Sequence, residues 1–498
     1  MLLFYHFLKT RETIFSYTVP VQFSFQKLLT NILFSVIIFL IFKHYGDSLM
    51  KVVKFGGSSL ASAQQLKKVL AIVKEDKNRK VVVVSAPGKR TPDDTKVTDA
   101  LIAYYKAYKS GKDFQEPLNW ISQRYQTICQ DLEIDSQVGT DITQSLEALA
   151  KLPIDHNPFL YDTFLAAGED NNAKLIAAYF QASGLTATYL HPKDVGLFVS
   201  QEPQNARVLP VSYDHIEKLN QLEGILVIPG FFGVTQDGQI CTFSRGGSDI
   251  TGSLIAAGMA AELYENFTDV DGIFAAHPGI VHNPHSIKEL TYREMRELAY
   301  AGFSVLHDEA LLPAYRAKIP IVIKNTNNPS HPGTKIVLKH ETDTPSVVVG
   351  ISADDQFVSI NMSKYLMNRE VGFGRQVLQI LEDLNIRWEH MPTGIDDLSI
   401  VIRQRELTPI KEDEILHRLI HELEVDHASI TKNLSIIMIV GENMKSHIGV
   451  TATATKALSD SHINLAMISQ GSSEVSVMFV IDSQDEHKAI KALYNTFF

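Results

Sequence analysis

A chain of 498 residues, 45% hydrophobic and 21% charged, is long enough for about two to four domains and has the composition of a soluble globular protein. Its formal net charge of −11 argues against a nucleic-acid surface of clustered Lys and Arg, but leaves room for a small anionic substrate held by a few local cations. The two cysteines, Cys129 and Cys241, form no CxxC pair, zinc spacing or disulfide framework and read as inert thiols in a reducing cytoplasm.

The first 49 residues do not match the rest. They are aromatic and apolar, and residues 28–42, LLTNILFSVIIFLIF, make a nearly uncharged run of 15, shorter than the ~18 to 20 that a spanning helix needs. Lys27 before it and Lys43 and His44 after it keep a tilted anchor open, while no small-residue cleavage site follows. At Met50 the segment MKVVKFGG reads as the first buried strand of a complete domain with no linker ahead of it. Met50 is therefore expected to be the true start, residues 1–49 being translated upstream sequence; a membrane anchor is the disfavoured alternative.

From Met50 onward, strands alternate with helices. Val52-Val53 lead into Lys54-Phe55-Gly56-Gly57-Ser58-Ser59, and a helical stretch, ASAQQLKKVLAIVKED, follows. Four valines at 81–84 end in Ser85-Ala86-Pro87-Gly88, and apolar runs recur at 224–231, 261–272 and 319–325. Short apolar runs bounded by turn residues are what buried parallel strands look like. Helices between them, such as NNAKLIAAYFQASG, TGSLIAAGMA and YREMRELAYAG, predict βαβ units: an α/β fold with a mainly parallel sheet covered on both faces. After about Thr344 the texture changes to two related units of about 70 residues. Strands at 347–352, 357–363 and 398–404 with a helix at 372–386 make the first. Strands at 434–441, 464–471 and 475–482 with helices at 448–460 and from Glu486 make the second. Each reads as a small open sheet with helices on one face, of the kind that pairs edge to edge and binds ligands between copies; a tail that only dimerises is the alternative.

The chemistry sits before that repeat. Lys54-Phe55-Gly56-Gly57-Ser58 places two glycines at a strand-to-helix turn, where backbone N–H groups favour phosphate oxygens and Lys54 adds a positive charge. It is neither GxGxxG nor a P-loop. Ser244-Arg245-Gly246-Gly247-Ser248-Asp249 opens a second helix; Arg245 can fork onto a carboxylate, and Asp249 fits beside phosphates only if it orients Lys54 or other donors. Thr268-Asp269-Val270-Asp271-Gly272 is not a calcium loop, because Phe274 and Ile280 stand where that loop needs Gly and Glu. Glu169, after Gly168, reads by default as an exposed capping residue, and His417 and His421 as a solvated helix face.

Taken in order, KFGGSS, the Val84-Ser85-Ala86 turn, Gly168-Glu169, RGGSD and TDVDG resemble the amino acid kinase family, and within it the aspartate kinases with paired C-terminal ACT domains. The resemblance covers nearly all of 50–498 and looks most like the monofunctional enzymes of low-GC Gram-positive bacteria, with no fused dehydrogenase. It implies a three-layer kinase sandwich at 50–344 and two ferredoxin-like ACT units at 345–430 and 431–498, with interleaving left open. It further implies a cytoplasmic enzyme that transfers the γ-phosphoryl group of ATP, carried with Mg2+ on its phosphates and no metal held by the protein, to the side chain of L-aspartate. Carried over by residue, Lys54 bridges the transferring phosphoryl and Asp249 orients it. Gly56, Gly57, Ser58, Gly246, Gly247 and Ser248 cradle phosphates. Ser85 and Thr98 contact the substrate, Arg245 its α-carboxylate and Glu169 its α-amino group. Thr268, Asp269 and Phe274, with Lys324 nearby, hold the nucleotide. Gly372, Phe373, Glu389, Thr393 and Gly394 mark the effector region, with lysine the first effector expected, threonine the second, and a homodimer through the ACT units. Relatives carry Arg and Lys where Gly279 and Ser304 stand, so other basic residues are expected to face the ATP phosphates. A sibling kinase acting on another acid and a degenerate amino-acid sensor are the rival readings.

Overall fold

The computed structural model describes residues 50–498 apart from 245, 304, 305, 307 and 342–345, and leaves the side chain of residue 308 undescribed. Both readings of residues 1–49 therefore lie outside the described residues. Among the described residues no helix is long and apolar enough to cross a membrane.

In chain order the first strands are β1 (Lys51–Phe55), β2 (Arg79–Val84), β3 (Ala187–Tyr189), β4 (Ile225–Pro229), a β5–β6 hairpin (Phe232–Val234 and Ile240–Thr242) and β7 (Leu263–Thr268). A β8–β9 hairpin (Ile273–Phe274 and Ser286–Ile287), β10 (Glu289–Thr291), β11 (Ile321–Asn325) and β12 (Thr334–Val337) follow. Eight of them form one sheet in the order β10-β12-β11-β7-β1-β2-β4-β3, parallel at every pairing except β11–β12. The valine run of β2 explains its central place: Val81 and Val83 enter the core on one face, Val82 and Val84 the core on the other, all fully buried. Helices α1 (Ala63–Glu75), α2 (Val97–Lys109), α3 (Gln115–Asp131), α4 (Ser136–Leu149) and α5 (Leu160–Ala182) supply the second face. Helices α6 (Val211–Glu217), α7 (Gly247–Gly258), α8 (Tyr292–Tyr300) and α9 (Asp308–Ala317) supply the first. The amphipathic stripes of these helices cover a sheet that is apolar on both sides, the three-layer arrangement that a parallel sheet requires.

Strands β13 (Gly350–Ser363), β14 (Trp388–His390), β15 (Asp397–Arg403), β16 (His427–Val440), β17 (Met467–Gln470) and β18 (Ser476–Asp482) form a second, wholly antiparallel sheet in the order β14-β15-β13-β16-β18-β17. The two units read from the sequence thus share one sheet. β13 and β16 are 14 residues each and run through both halves. Residues read as two separate strands, at 347–352 and 357–363, contribute to the single strand β13, bulged between Asp354 and Phe357 where Gln356 takes φ +62°. Helices α10 (Phe373–Asp383) and α11 (Pro409–His421) pack on one half, α12 (Val450–Asp460) and α13 (Glu486–Phe497) on the other.

The second sheet is fastened to the first body by polar contacts. Glu442 N donates to Glu294 Oε1 at 2.9 Å, Ser476 Oγ to Glu297 Oε2 at 2.8 Å, and Ile351 N to Ala275 O at 2.7 Å. His340 bridges Glu289 and Glu294 at 3.0 Å each, and both carboxylates raise its pKa against the opposing pull of burial.

Candidate active site

At the end of β1 the chain turns through Gly56 and Gly57 against the end of β2. Gly88 N donates to Gly57 O at 2.8 Å, and a Cβ on Gly88 would stand 2.6 Å from the Gly57 carbonyl carbon. Two backbones cross here at a distance that excludes side chains, while Gly56 N donates to Phe267 O and Ser59 N to Gly56 O, each at 3.0 Å. Lys54, two residues before Gly56, is 8% exposed, and its ammonium meets Asp249 Oδ1 at 2.6 Å and Asn266 Oδ1 at 3.4 Å. Asn266, the register partner of Lys54 on β7, donates its Nδ2 to the same Asp249 oxygen at 2.8 Å. A buried ion pair needs its remaining hydrogen-bonding capacity satisfied, and this triangle does so from β1, β7 and the first turn of α7. That helix opens at Gly246 with φ +72°, and a Cβ on Gly247 would stand 2.6 Å from the Phe231 ring. A Cβ on Gly230 would likewise stand 2.7 Å from Ser248, so the Gly246-Gly247-Ser248 turn is pressed against the loop after β4. Arg245 lies outside the described residues.

Glu169 corrects its default reading as an exposed cap. It lies inside α5, which begins at Leu160, and is 7% exposed. Gly168 makes this possible: a Cβ there would stand 2.9 Å from Ala86 Cβ, so the helix lies directly on the loop after β2. On the same helix face Asn172 donates to Ser85 O at 2.6 Å. Glu169 Oε2 has no hydrogen-bond partner, and burial pushes the carboxyl up to about 8 despite the backbone bond at Ala86.

Gly57, Ser58, Ser85, Thr98, Glu169 and Asp269 line one cleft of about 590 Å³. Lys89, Arg90 and Lys96 line it too, basic residues whose place the sequence reading left open. Their loop is held by Asp94, which takes Arg90 at 2.8 Å and Arg124 at 2.9 Å, while Arg124 also donates to Ala61 O and Gly88 O at 2.9 and 2.8 Å. Arg90 and then Arg124 hold the Asp94 carboxyl far below the usual carboxylate range, with burial opposing them. The Lys89-Arg90…Lys96 cluster just after the Ser85-Ala86-Pro87-Gly88 turn was a usable signal; the Asp94–Arg124 pair and Asn266 gave none.

Beyond β7, Thr268 Oγ1 donates to Asp269 Oδ1 at 3.1 Å, and Asp271 is engaged by Asn325 and Asn328 at 2.9 and 3.1 Å. Phe274 stands in a second cleft, of about 480 Å³, with Val270, Gly272, Gly279 and Phe303. Lys324, on β11, holds its ammonium 5.7 Å from the Phe267 ring centre and lines neither cleft. The five effector residues lie away from both clefts. Gly372, φ +87°, starts α10 above the buried Phe373, and Gly449, φ +90°, starts α12 in the same way. Glu389 takes Arg403 at 3.2 Å, Thr393 Oγ1 donates to Met391 O at 3.4 Å, and Gly394 N donates to Asp397 O at 2.7 Å.

Comparison with known proteins identifies the family. Residues 50–325 match the amino acid kinase family and residues 437–497 an ACT domain. Aspartokinase 3 of Bacillus subtilis is 52% identical over 449 residues, covering 90% of this chain and 99% of that protein. The crystal structure of Clostridium acetobutylicum aspartate kinase superimposes with a TM-score of 0.79 at 39% identity, over 90% of this chain and 100% of the other. Escherichia coli aspartokinase III, crystallised with lysine and aspartate, shares the fold with a TM-score of 0.68 at 24% identity, over 91% of this chain and 100% of its own.

Proposed function

Because the chain belongs to the amino acid kinase family, as an aspartate kinase that phosphorylates L-aspartate with ATP, we propose that the buried Lys54–Asp249 pair is its catalytic centre. In this reading the β-carboxylate of aspartate attacks the γ-phosphorus in line, the bond to the β,γ-bridging oxygen breaks, and ADP leaves with that electron pair, giving 4-phospho-L-aspartate. An ionised carboxylate is already a nucleophile and needs no base, so the protein's work is positioning and charge stabilisation. Lys54 meets the transferring oxygens while Asp249 and Asn266 fix its direction. Gly57, Ser58, Gly246, Gly247 and Ser248 offer hydrogen-bond donors to the phosphates, as does the Lys89–Lys96 loop through its cations, while Gly56, whose N–H is given to Phe267 O, shapes the turn. Ser85, Thr98 and Arg245 hold the substrate with Glu169 at its ammonium group. Thr268, Asp269 and Phe274 hold the nucleotide, with Lys324 behind them on β11. Mg2+ is assigned to the nucleotide phosphates, where it would neutralise charge.

The reaction would open lysine, threonine and methionine biosynthesis, with feedback through the ACT sheet of a homodimer. Lysine is the first effector to test, since the E. coli protein of this fold was crystallised with it, and threonine the second. The deciding experiment traps acyl phosphate as the hydroxamate, using the full chain with ATP, Mg2+ and aspartate, with and without lysine. Aspartate-dependent hydroxamate is the expected result. A folded protein that makes none from aspartate, or prefers glutamate, overturns the reading.

Glu169 adds a pH signature. Its carboxyl, normally near 4.5, is raised to about 8 by burial, so its ionisation opposes folding and stability is lost as pH climbs between these values. A substrate ammonium reverses that preference and expels the proton. The KM for aspartate is therefore expected to fall as pH rises from about 6.5 to about 8.5, by up to about tenfold per unit, with proton release seen by calorimetry in two buffers. Glu169→Gln should raise KM and flatten the profile; equal profiles for both proteins would remove Glu169 from the ammonium site.

A further inference from the structure

The second cleft has a wall that the kinase fold does not supply. Facing Phe274 and Phe303 stand Ser352 and Ala353 of β13 and the first turn of α13, all from the regulatory sheet. The wall is fixed at backbone distance: Ile351 N bonds Ala275 O at 2.7 Å, and a Cβ on Gly302, at φ +107°, would stand 2.2 Å from Ala353 O. Ile351 belongs to the regulatory core and also lines the cleft, with Ser352 and Ala353 next to it. Ser352 is 3% exposed, and its Oγ has no hydrogen-bond partner. Buried hydroxyls are nearly always paired, so an unpaired one on a residue that lines a cleft points to an occupant that pairs with it.

We propose that Ser352 completes the nucleotide pocket, its hydroxyl hydrogen-bonding the polar edge of the purine base of ATP while Phe274 and Phe303 face the ring. The inference rests on the nucleotide reading given for Phe274. Asp269 lines the first cleft and Val270 the second, so one nucleotide can span both across this turn. The cations suited to phosphates, Lys89, Arg90 and Lys96, all lie at the first cleft, which leaves the base for the more apolar second. A free amino acid fits this cleft poorly. Its ionisable lining groups are His277, Glu486 and His487, and Glu486 already accepts from Ser435 Oγ at 2.7 Å, so no fixed cation awaits a carboxylate.

The test compares the full chain with its Ser352→Ala and Ser352→Thr variants, using ADP titration and the separate KM values for ATP and aspartate. Ser352→Ala should weaken ADP and raise the KM for ATP by about three- to tenfold, with the aspartate KM and lysine inhibition within about twofold; Ser352→Thr should restore ADP binding. In the wild-type protein, ADP should protect the amides of residues 350–354 from hydrogen exchange while aspartate alone does not, a readout that survives a poorly folded variant. Unchanged ADP affinity in folded Ser352→Ala, altered lysine inhibition without altered ADP affinity, or no ADP protection of 350–354 would each overturn the proposal. Wild-type protein that binds ADP through Ser352 but makes no acyl phosphate would sink the kinase reading and leave this one standing.

Discussion

The Lys54→Met enzyme is expected to turn over at least about 10³-fold more slowly than wild type, with KM values for ATP and aspartate within about threefold. Methionine keeps the length of the side chain and removes its charge, so the loss falls on the step in which negative charge builds on the transferring oxygens. Asp249→Asn keeps the ammonium but loosens its direction and should cost about 10²-fold. The double variant should be no slower than Lys54→Met, since the two groups act as a unit. Stability provides a second readout. Lys54→Met leaves Asp249 buried at 8% exposure with, among the described residues, Asn266 as its remaining side-chain partner, so Tm falls, and adding Asp249→Asn recovers most of the loss. Hydroxamate assays and thermal melts measure both; a Lys54→Met kcat within tenfold of wild type would remove Lys54 from the chemistry.

The largest effect on folding is expected away from the site, at Glu265→Gln. Arg79 on β2 and Glu265 on β7 form a two-pronged pair at 2.7 and 3.0 Å, 5% and 3% exposed, spanning the sheet on either side of β1. Arg79 also bonds Ile72 O and lies 5.6 Å from the Phe267 ring centre. Neutralising Glu265 strands a guanidinium whose nearest other carboxylate is the exposed Glu75 at 3.7 Å. Breaking one partner of such a pair costs about 3–5 kcal/mol, a large part of a domain's typical stability. Replacing both, Arg79→Met with Glu265→Leu, should recover most of it, because neither charge is then left alone. Urea and thermal melts decide; a Glu265→Gln midpoint equal to wild type would show that the site is wetter than its burial implies.

Parts of this protein were written locally and so could be read. The four valines of β2 announce a strand buried on both faces, and glycine pairs at 56–57 and 246–247 announce close backbone approach, because both signals depend on neighbours along the chain. Glu169 misled for the same reason. A Gly-Glu step reads as a helix start, yet Gly168 is a contact point inside α5 whose purpose shows only when Ala86 is placed against it. The regulatory sheet misled at Asp354-Asp355-Gln356, where a polar interruption reads as a strand end and is a bulge in one long strand.

The sequence by itself determined the α/β class and the family, because alternation, glycine placement and motif order are properties of consecutive residues. Only the tertiary structure decided that Asn266 joins Lys54 to Asp249, that Arg124 and Asp94 brace the cationic loop, and that Ser352 of the regulatory sheet lines the second cleft. Lys54 and Asn266 are 212 positions apart and meet because β1 and β7 are register neighbours. Such contacts follow from strand order and burial, in which distance along the chain does not enter.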